Sequence, residues 1–298
     1  AEDIAPFVKG SYTLGILFRD RLCAVQDPYH NRPFSIGRRQ DDSYFLSSET
    51  CTFGSVGAKF LMNVPPGTIV EIGPEGLRTH RYAESYMERR CVFELLYFAL
   101  PSSVMFDTSV SEFRMAVGRK LEELFPVPEA DLVTSVPDSG NFMAAGYAES
   151  RRSGKMHQVI IRNHVGRTFT AVDQAMRDGL VDLKFNFDES QVNGKRIVLV
   201  DDSIVRFTTL PKIVKRLREC GAKSVHARIG TPPIVGICAY GINIRTQKEL
   251  IATTHTNAQM ATKAGLDSLE FLPLPALKEL LPDSSKFCFA CMNLEYWH

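Results

Sequence analysis

The sequence predicts an α/β protein in which a parallel sheet follows a smaller, β-rich N-terminal part. Short apolar runs separated by charged or glycine-containing turns fill residues 12–79, which is typical of antiparallel strands. After Cys91, apolar runs of strand length alternate with amphipathic stretches, which favours strand–helix–strand units and a parallel sheet. We therefore expect two domains, over residues 1–90 and 91–298.

Two hairpins are predicted in the N-terminal part. The first joins strands over residues 13–18 and 22–25 through a charged turn. The second follows a strand over residues 68–72 and turns at Gly73-Pro74-Glu75-Gly76, because proline presets one turn dihedral angle and glycine relieves another. We interpret the charged stretch over residues 78–90 as a linker.

The strands and helices of the second part are predicted from the spacing of apolar residues, which changes between strand-like and helix-like patterns along the chain. Strands are expected over residues 131–136, 196–200 and 224–229, and amphipathic helical stretches over residues 142–152 and 276–281. A further helix opens at Pro211 and closes at Gly221, since proline suits the first helical turn and glycine the residue after the last.

Composition excludes several classes of protein. With 298 residues, 44% of them hydrophobic, the chain can bury a large core, and its net charge of +1 creates no general attraction for nucleic acid or anionic membranes. No apolar run approaches the roughly 18–20 residues of a membrane span, and the first residues lack the pattern of a signal peptide. We expect a cytoplasmic protein that binds neither nucleic acid nor membrane.

The strand over residues 196–200 runs into Asp201 and Asp202 and then into a hydroxyl-rich turn. At the carboxyl edge of a sheet, this order combines hydrogen-bond acceptors with the N–H donors of a helix start. The carboxylates would accept ribose hydroxyls, and Thr208 and Thr209 would bind a phosphate. By itself the segment is explained equally well as a helix cap after a buried strand, because Asp and Ser are common there.

A family resemblance bears on that choice. The run Val-Asp-Asp-Ser-Ile-Val-Arg over residues 200–206 closely resembles the phosphoribosyl pyrophosphate motif of type I phosphoribosyltransferases, in its amidophosphoribosyltransferase version. Other stretches that resemble this family are residues 27–33, 47–51, 66–72, 136–139, 165–169 and 240–243. The resemblance implies a type I phosphoribosyltransferase parallel sheet after a partial Ntn-hydrolase-like β-rich domain, with Ser203 and Arg206 shaping the substrate-binding turn.

The resemblance also implies the rest of an active site. A loop at Asp138, Ser139 and Gly140 would cradle pyrophosphate, and a flap over residues 165–184 would close over the substrate. The implied flap cations are the catalytic Arg167 and Lys184 and the substrate-binding Arg177. With Mg²⁺ held at Asp201 and Asp202, the implied reaction joins ammonia to phosphoribosyl pyrophosphate and gives phosphoribosylamine for purine biosynthesis.

The cysteines do not form the pattern of a secreted disulfide framework, since there are seven of them spread over a long chain. Cys288 and Cys291 form a C-x-x-C pair, which alone indicates either a metal site or inert thiols. Cys91 and Cys238 match the other two cluster cysteines of the iron–sulfur branch of the family. The resemblance thus implies a [4Fe–4S] cluster, with a closed zinc site as the alternative that spacing leaves open.

The remaining cysteines, Cys23, Cys51 and Cys220, are expected to be buried packing residues. They lie outside the family's cluster pattern, so they are predicted to bind no metal.

The sequence departs from the family pattern at several positions. Phe207 stands where the family has glycine, at a turn that needs unusual dihedral angles and comes close to the 5′-phosphate. Leu100 and Ser102 replace an arginine and an aspartate of the family pattern, and residues 163–164 replace Arg-Tyr. The chain starts at Ala1 and aligns with the middle of the family's glutaminase domain, so no glutaminase activity is expected.

Two functional hypotheses follow. In one, the protein is an ammonia-dependent phosphoribosyltransferase supplied by a separate glutaminase subunit or by free ammonia. In the other, it is a catalytically inactive homologue that acts as a scaffold or regulatory partner of the intact enzyme. A third possibility is that the chain is a piece of a longer protein. Either hypothesis predicts a homo- or hetero-oligomer.

Overall fold

The computed structural model describes residues 8, 10–84, 87–151, 154, 156–163 and 184–297. In residues 10–84 the strands form two antiparallel sheets. These strands are β1 (Thr13–Leu17), β2 (Leu22–Gln26), β3 (Ser35–Arg38), β4 (Tyr44–Ser47), β5 (Lys59–Asn63), β6 (Thr68–Gly73) and β7 (Gly76–Arg81). One sheet has the order β1-β2-β6-β7 and the other β4-β3-β5. Ala24, Ile36 and Val70 bring both sheets into one buried cluster, so the predicted antiparallel texture is confirmed.

Both predicted hairpins are present. Leu17 pairs with Leu22 at the first turn, and Gly73 pairs with Gly76 at the second. The prediction of a linker over residues 78–90 is wrong for the first of these residues, because strand β7 continues through Arg81. This strand lies at the edge of its sheet, where charged side chains reach solvent without disturbing the paired side.

The later strands alternate with helices. The strands are β8 (Arg90–Cys91), β9 (Val104–Met105), β10 (Thr108–Ser109), β11 (Leu132–Ser135), β12 (Ile160–Arg162), β13 (Phe185–Phe187), β14 (Arg196–Asp201), β15 (Ser224–Ile229), β16 (Ser268–Phe271) and β17 (Phe287–Cys288). The α-helices are α1 (Thr52–Ser55), α2 (Val110–Leu124), α3 (Asn141–Ser150), α4 (Glu189–Val192), α5 (Leu210–Glu219), α6 (Asn257–Ala264), α7 (Leu274–Glu279) and α8 (Ala290–Asn293). A π-helix spans Glu94–Phe98, and 3₁₀ turns span Gln247–Glu249, Ile251–Thr253 and Ser284–Lys286.

The central sheet of the second part is parallel, with the strand order β11-β14-β15-β16. Successive residues of β14 face opposite sides. Ile197 and Leu199 pack in a cluster with α5 and α6, whereas Val198 and Val200 pack in a cluster with α2 and α3. Both faces are covered by helices, as is usual for parallel sheets, and the predicted α/β class is confirmed.

Helix α2 was not predicted. Arg114 and Gly118 interrupt its apolar face, and both are buried against the rest of the protein. A Cβ added at Gly118 would lie 1.9 Å from the carbonyl oxygen of Met143 on α3. The glycine therefore serves a close crossing of α2 and α3, which cannot be recognised from helix periodicity alone.

The other predicted elements of this part agree with the structure within a few residues. The helix expected to open at Pro211 opens at Leu210, with the proline in its first turn, and Gly221 follows its end in a left-handed conformation (φ 89°). The stretch expected over residues 276–281 forms α7. None of the helices in the described ranges has the length and apolar character needed to cross a membrane.

Candidate active site

Two buried carboxylates lie at the carboxyl end of β14. Asp201 is the last residue of the strand, and its Oδ1 accepts the N–H of Asp202 at 2.9 Å. The neighbouring strand β11 ends at the same edge, where the N–H of Val136 donates to the carbonyl of Val200. The loop after β11 is thereby brought beside both carboxylates, as the position of parallel strand ends predicts.

Hydrogen bonds join the two loops at this edge. Ser139 donates its hydroxyl to Oδ1 of Asp202, and Ser203 donates to Oδ2 of the same carboxylate, each at 2.5 Å. A Cβ at Gly140 would lie 2.7 Å from the carbonyl oxygen of Val200, so this position has room only for glycine. Asp138 is exposed at the outer side of the loop and pairs with Arg162 at 2.5 Å.

Burial shapes the electrostatics of the pair. Removal from water raises the pKa of Asp201 well above its usual range, and the negative charge of Asp202 raises it further. Burial also raises the pKa of Asp202, although the hydroxyls of Ser139 and Ser203 oppose that change. Two adjacent carboxylates of this kind favour hydroxyl donors or a cation, either of which stabilises the charged forms.

Arg114 is a charged residue of this region that the sequence did not single out. It is 2% exposed and donates to the carbonyls of Leu95 and Ala99 at 2.8 Å each. Its positive charge lowers the pKa of Asp202, against the effect of burial. The sequence contains one indication of this buried charge, an arginine in the otherwise apolar face of α2. An arginine at such a position usually directs its side chain to solvent, so its burial was not predicted.

The turn after β14 leads directly into α5. Thr208 and Thr209 lie exposed at the start of this helix, where backbone N–H groups and the helix dipole favour an anion. The guanidinium of Arg206 donates to Glu249 at 2.5 Å and to the carbonyl of Asn243 at 3.4 Å. These contacts anchor the turn, and a part for Arg206 in binding the substrate stays a prediction.

Phe207 has a left-handed backbone, with a φ of 57°. This confirms that the position needs the conformation that favours glycine. The ring is half-buried and packs against the hydrophobic cluster under α5 and α6. The turn thus keeps a glycine-like shape while the aromatic side chain is held on the core.

The predicted flap residues are only partly described. Arg167 and Arg177 lie outside the described residues, as does most of the predicted flap over residues 165–184. Lys184 is exposed beside β13, and its carbonyl accepts the N–H of Asn163 at 2.8 Å. Its assignment to phosphate stays a prediction.

A separate cavity of about 660 Å³ lies beside β13 and α5. Its lining includes Lys212, Lys215 and Arg216, and Glu219 contributes an opposing charge. The lining of this cavity lacks the paired carboxylates of the strand ends. We therefore assign the candidate site from the arrangement of chemical groups and not from cavity size.

The four cysteines implied by the resemblance line one small cavity of about 10 Å³, together with side chains such as Asn31 and Phe93. These cysteines are Cys91, Cys238, Cys288 and Cys291. The first and third lie opposite each other in the parallel pair of β8 and β17. Residues separated by up to 200 positions in the chain therefore converge, as the sequence predicted.

The segments around this cavity hold the sulfurs in place. The sulfur of Cys238 accepts the N–H groups of Tyr240 and Ile242 at 3.3 and 3.4 Å. Burial raises the pKa of Cys91 to about 12 and that of Cys288 to about 11, and it also raises the pKa of Cys291. Within the described ranges, no three histidine, cysteine, aspartate or glutamate side chains are arranged to hold a metal ion.

The other cysteines lie apart from this cavity. Cys23 and Cys220 are buried, as predicted. Cys51 is only half-buried, with its thiol 3.8 Å from a carboxylate oxygen of Glu49, so the packing prediction was wrong for this residue. It lies in the turn that opens α1, where a thiol can reach a polar neighbour.

Comparison with known proteins shows which family the chain resembles. No model of a protein family matches the chain. The chloroplastic amidophosphoribosyltransferase of Glycine max is 42% identical over 296 residues, which cover 99% of this chain and 52% of that protein. The amidophosphoribosyltransferase of Archaeoglobus fulgidus is 39% identical over 290 residues, covering 96% of this chain and 63% of that one.

The fold agrees with this sequence likeness. The solved glutamine phosphoribosylpyrophosphate amidotransferase of B. subtilis, complexed with ADP and GMP, superposes with a TM-score of 0.91 at 38% identity. The match covers 99% of this chain and 66% of that protein. Over nearly its whole length the chain is similar to amidophosphoribosyltransferases. Its parallel sheet is that of a type I phosphoribosyltransferase, as predicted.

A second solved structure, of an allosteric regulatory enzyme of purine biosynthesis, matches this chain equally well, with a TM-score of 0.91 and 38% identity. The alignment covers 99% of this chain and 64% of that one. The chain thus spans between about half and two thirds of the length of the relatives it matches.

Proposed function

We propose that this chain carries the phosphoribosyl-transferring site of an amidophosphoribosyltransferase. In the proposed reaction, ammonia displaces pyrophosphate from C1′ of phosphoribosyl pyrophosphate to form phosphoribosylamine in purine biosynthesis. The bond from Ser139 to Asp202 is the observation that carries the proposal, because it joins the proposed pyrophosphate loop to the proposed ribose site.

The residues around this bond have suitable chemistry for each part of the substrate. Asp201 and Asp202 would accept hydrogen bonds from the two ribose hydroxyls. The N–H groups at the start of α5, with the hydroxyls of Thr208 and Thr209, would bind the 5′-phosphate. The backbone of residues 138–140 would hold the pyrophosphate on the opposite side of C1′ from the attacking ammonia.

Mg²⁺ is the metal implied at this site. Asp201 and Asp202 offer the carboxylate oxygens that this ion prefers, and their mutual repulsion in a buried position favours a cation there. When bound, the ion would supply positive charge to the departing pyrophosphate. We further propose that Arg167, Arg177 and Lys184 add positive charge from the flap, and that excluding water there protects C1′ from hydrolysis.

We propose a [4Fe–4S] cluster at the four cysteines, with zinc as the alternative. The thiols line one cavity, and the N–H donors at Cys238 favour an anionic sulfur. Four cysteine sulfurs suit either group. The resemblance to the iron–sulfur branch of the family favours the cluster. Such a group would tie β8 to the C-terminal segment and take no part in the transfer step.

The rival hypothesis, an inactive homologue that acts as a scaffold, was suggested by Phe207. The left-handed backbone at this residue and the packing of its ring on the core favour the enzyme instead, since the turn keeps its shape. A separate ammonia source, an oligomer containing the intact enzyme, the lack of glutaminase activity and a cytoplasmic location stay predictions. Several relatives carry the description chloroplastic.

Calorimetry with phosphoribosyl pyrophosphate and Mg²⁺ tests the proposed site. We expect saturable binding to the unaltered chain and about tenfold weaker binding to Asp202→Asn, which removes a charged acceptor of ribose hydroxyls. Asp188→Asn is a matched control, because Asp188 is a half-buried aspartate that accepts a hydrogen bond at the start of α4. Absence of binding by the unaltered chain, or equal binding by Asp202→Asn and the control, would contradict the proposal.

A further inference from the structure

Arg32 reaches from the β-rich part of the chain to the rim of the cysteine cavity. Its Nη1 donates to Oε1 of Glu94 at 2.6 Å, and its Nη2 donates to the carbonyl of Tyr240 at 3.4 Å. The guanidinium also lies over the ring of Phe98, 5.4 Å from its centre. Only 20% of the side chain is exposed, so the positive charge is largely removed from water.

These contacts connect the two segments that carry Cys91 and Cys238. Glu94 lies three residues beyond Cys91, whereas Tyr240 lies two residues beyond Cys238 and donates its N–H to that sulfur. The residue before the arginine adds a further link, since the carbonyl of Asn31 accepts the N–H of Cys91 at 2.9 Å. Arg32 therefore spans two cysteine-bearing segments that are far apart in sequence.

The Cys238 loop lies against the guanidinium. A Cβ at Gly241 would lie in van der Waals contact with Arg32, 3.4 Å from its Nη2. The glycine, at φ 106°, allows the loop to approach the guanidinium. The loop that carries Cys238 therefore packs against the guanidinium of Arg32.

The charge of Arg32 is suited to four thiolates in a buried site. The guanidinium pairs with Glu94 at 2.6 Å and also reaches the carbonyl of Tyr240, between the segments that carry Cys91 and Cys238. Removal of Arg32 would leave the Glu94 carboxylate unpaired beside the cysteines, so the sulfurs would lose a positive neighbour and keep a negative one.

We propose that Arg32 is a positioning residue for the proposed iron–sulfur cluster: it holds the Cys238 loop against the Cys91 segment and offsets the negative charge of the thiolates. The inference rests on the cluster assigned under the proposed function. It gives the β-rich part of the chain a direct role in retaining a group whose ligands all lie in the other part.

The test compares Arg32→Gln and Arg32→Lys with Arg38→Gln after anaerobic reconstitution with iron and sulfide. Arg38 is a suitable control, because it is an exposed arginine on β3 that pairs with Asp42 at 2.6 Å. We expect Arg32→Gln to release iron to a ferrous chelator about tenfold faster than the unaltered chain, and its cluster to have a lower reduction potential. Arg32→Lys should recover the potential but only part of the retention, because lysine keeps the charge without the planar fork.

Equal iron release and equal potential in Arg32→Gln and Arg38→Gln would overturn the inference. If Arg32→Gln does not fold, Glu94→Gln tests the same ion pair by removing its negative partner. That variant leaves Arg32 with an uncompensated charge, so a higher reduction potential supports the proposal and an unchanged or lower one contradicts it. An unaltered chain that takes up no iron and sulfide would instead contradict the proposed cluster itself.

Discussion

The hydroxyl of Ser139 donates to Oδ1 of Asp202 at 2.5 Å, across 63 positions of sequence. This bond fixes the loop after β11 against the end of β14, and it gives the buried carboxylate a donor that opposes the rise of its pKa. The bond therefore couples the geometry of the proposed pyrophosphate loop to the charge of the proposed ribose site.

Ser139→Ala tests this coupling. A hydrogen bond to a charged group contributes about 1.5–3 kcal/mol, so we expect at least about tenfold weaker binding of phosphoribosyl pyrophosphate by calorimetry. Ser190→Ala is the control, because Ser190 donates to Asp188 at 2.6 Å in an exposed turn remote from the site. Similar affinities for the two variants would show that the Ser139 bond does not organise the site.

Phe207 provides a second test, since its backbone and its side chain act in opposite directions. Its φ of 57° favours glycine, whereas its ring contributes packing to the core. Both Phe207→Gly and Phe207→Ala remove the ring, but only glycine avoids the left-handed penalty of about 1 kcal/mol. We expect urea unfolding to give the glycine variant the higher free energy of unfolding by about that amount. An alanine variant of equal or greater stability would contradict the strained turn.

Glu88 predicts a pH dependence of stability. It accepts His30 at 3.4 Å and Arg90 at 2.7 Å, and it pairs with Lys286 at 3.3 Å. The hydrogen bond from His30 is the largest cause that lowers the pKa of this carboxyl, to about 2 from an ordinary 4.5. Because the folded pKa is the lower one, the stabilisation is complete above pH 4.5 and is lost as pH falls towards 2.

Glu88→Gln should therefore lower the free energy of unfolding at pH 7 by about 1–2 kcal/mol, a value reduced for solvent screening. The difference from the unaltered chain should shrink by pH 3 in urea titrations. Glu75→Gln, which removes an exposed partner of Arg78, should cost under about 0.5 kcal/mol. A deficit for Glu88→Gln that does not change with pH would refute the assignment to its charge.

The cysteine cavity predicts a metal content that depends on specific residues. Cys288→Ser should lose most of the iron and sulfide that the unaltered chain binds after anaerobic reconstitution, because one ligand of four is removed. Cys51→Ser should retain both, since Cys51 lies outside the cavity. Zinc without sulfide in the unaltered chain would favour the alternative site, and equal iron in the two variants would exclude Cys288 as a ligand.

Much of the fold could be predicted because local patterns determine it. The strand Ser224–Ile229 was predicted to the residue from a β-rich run after Gly221, and the left-handed backbone at Phe207 agrees with the expected glycine position. Periodicity and turn residues act over a few positions, so one sequence contains them in full. The identities of Asp201 and Asp202 as a pair at a sheet edge followed in the same way.

Contacts between distant segments could not be predicted. Arg114 in an apolar helix face gave no indication that it would be buried and would donate to two carbonyls of the preceding π-helix segment. The contacts of Arg32 with Glu94 and Tyr240 join segments separated by 62 and 208 positions. Neither pattern nor propensity encodes such partners, because the tertiary fold alone brings them together.

The central claim, transfer of a phosphoribosyl group, is tested most directly by pyrophosphate release. The unaltered chain is incubated with phosphoribosyl pyrophosphate, Mg²⁺ and ammonium, beside Asp201→Asn, which removes a proposed ribose and metal ligand. We predict release that depends on ammonium and falls at least about 100-fold in the variant, within the range expected for lost transition-state contacts. No ammonium-dependent release by the unaltered chain, or equal release by Asp201→Asn, would contradict it.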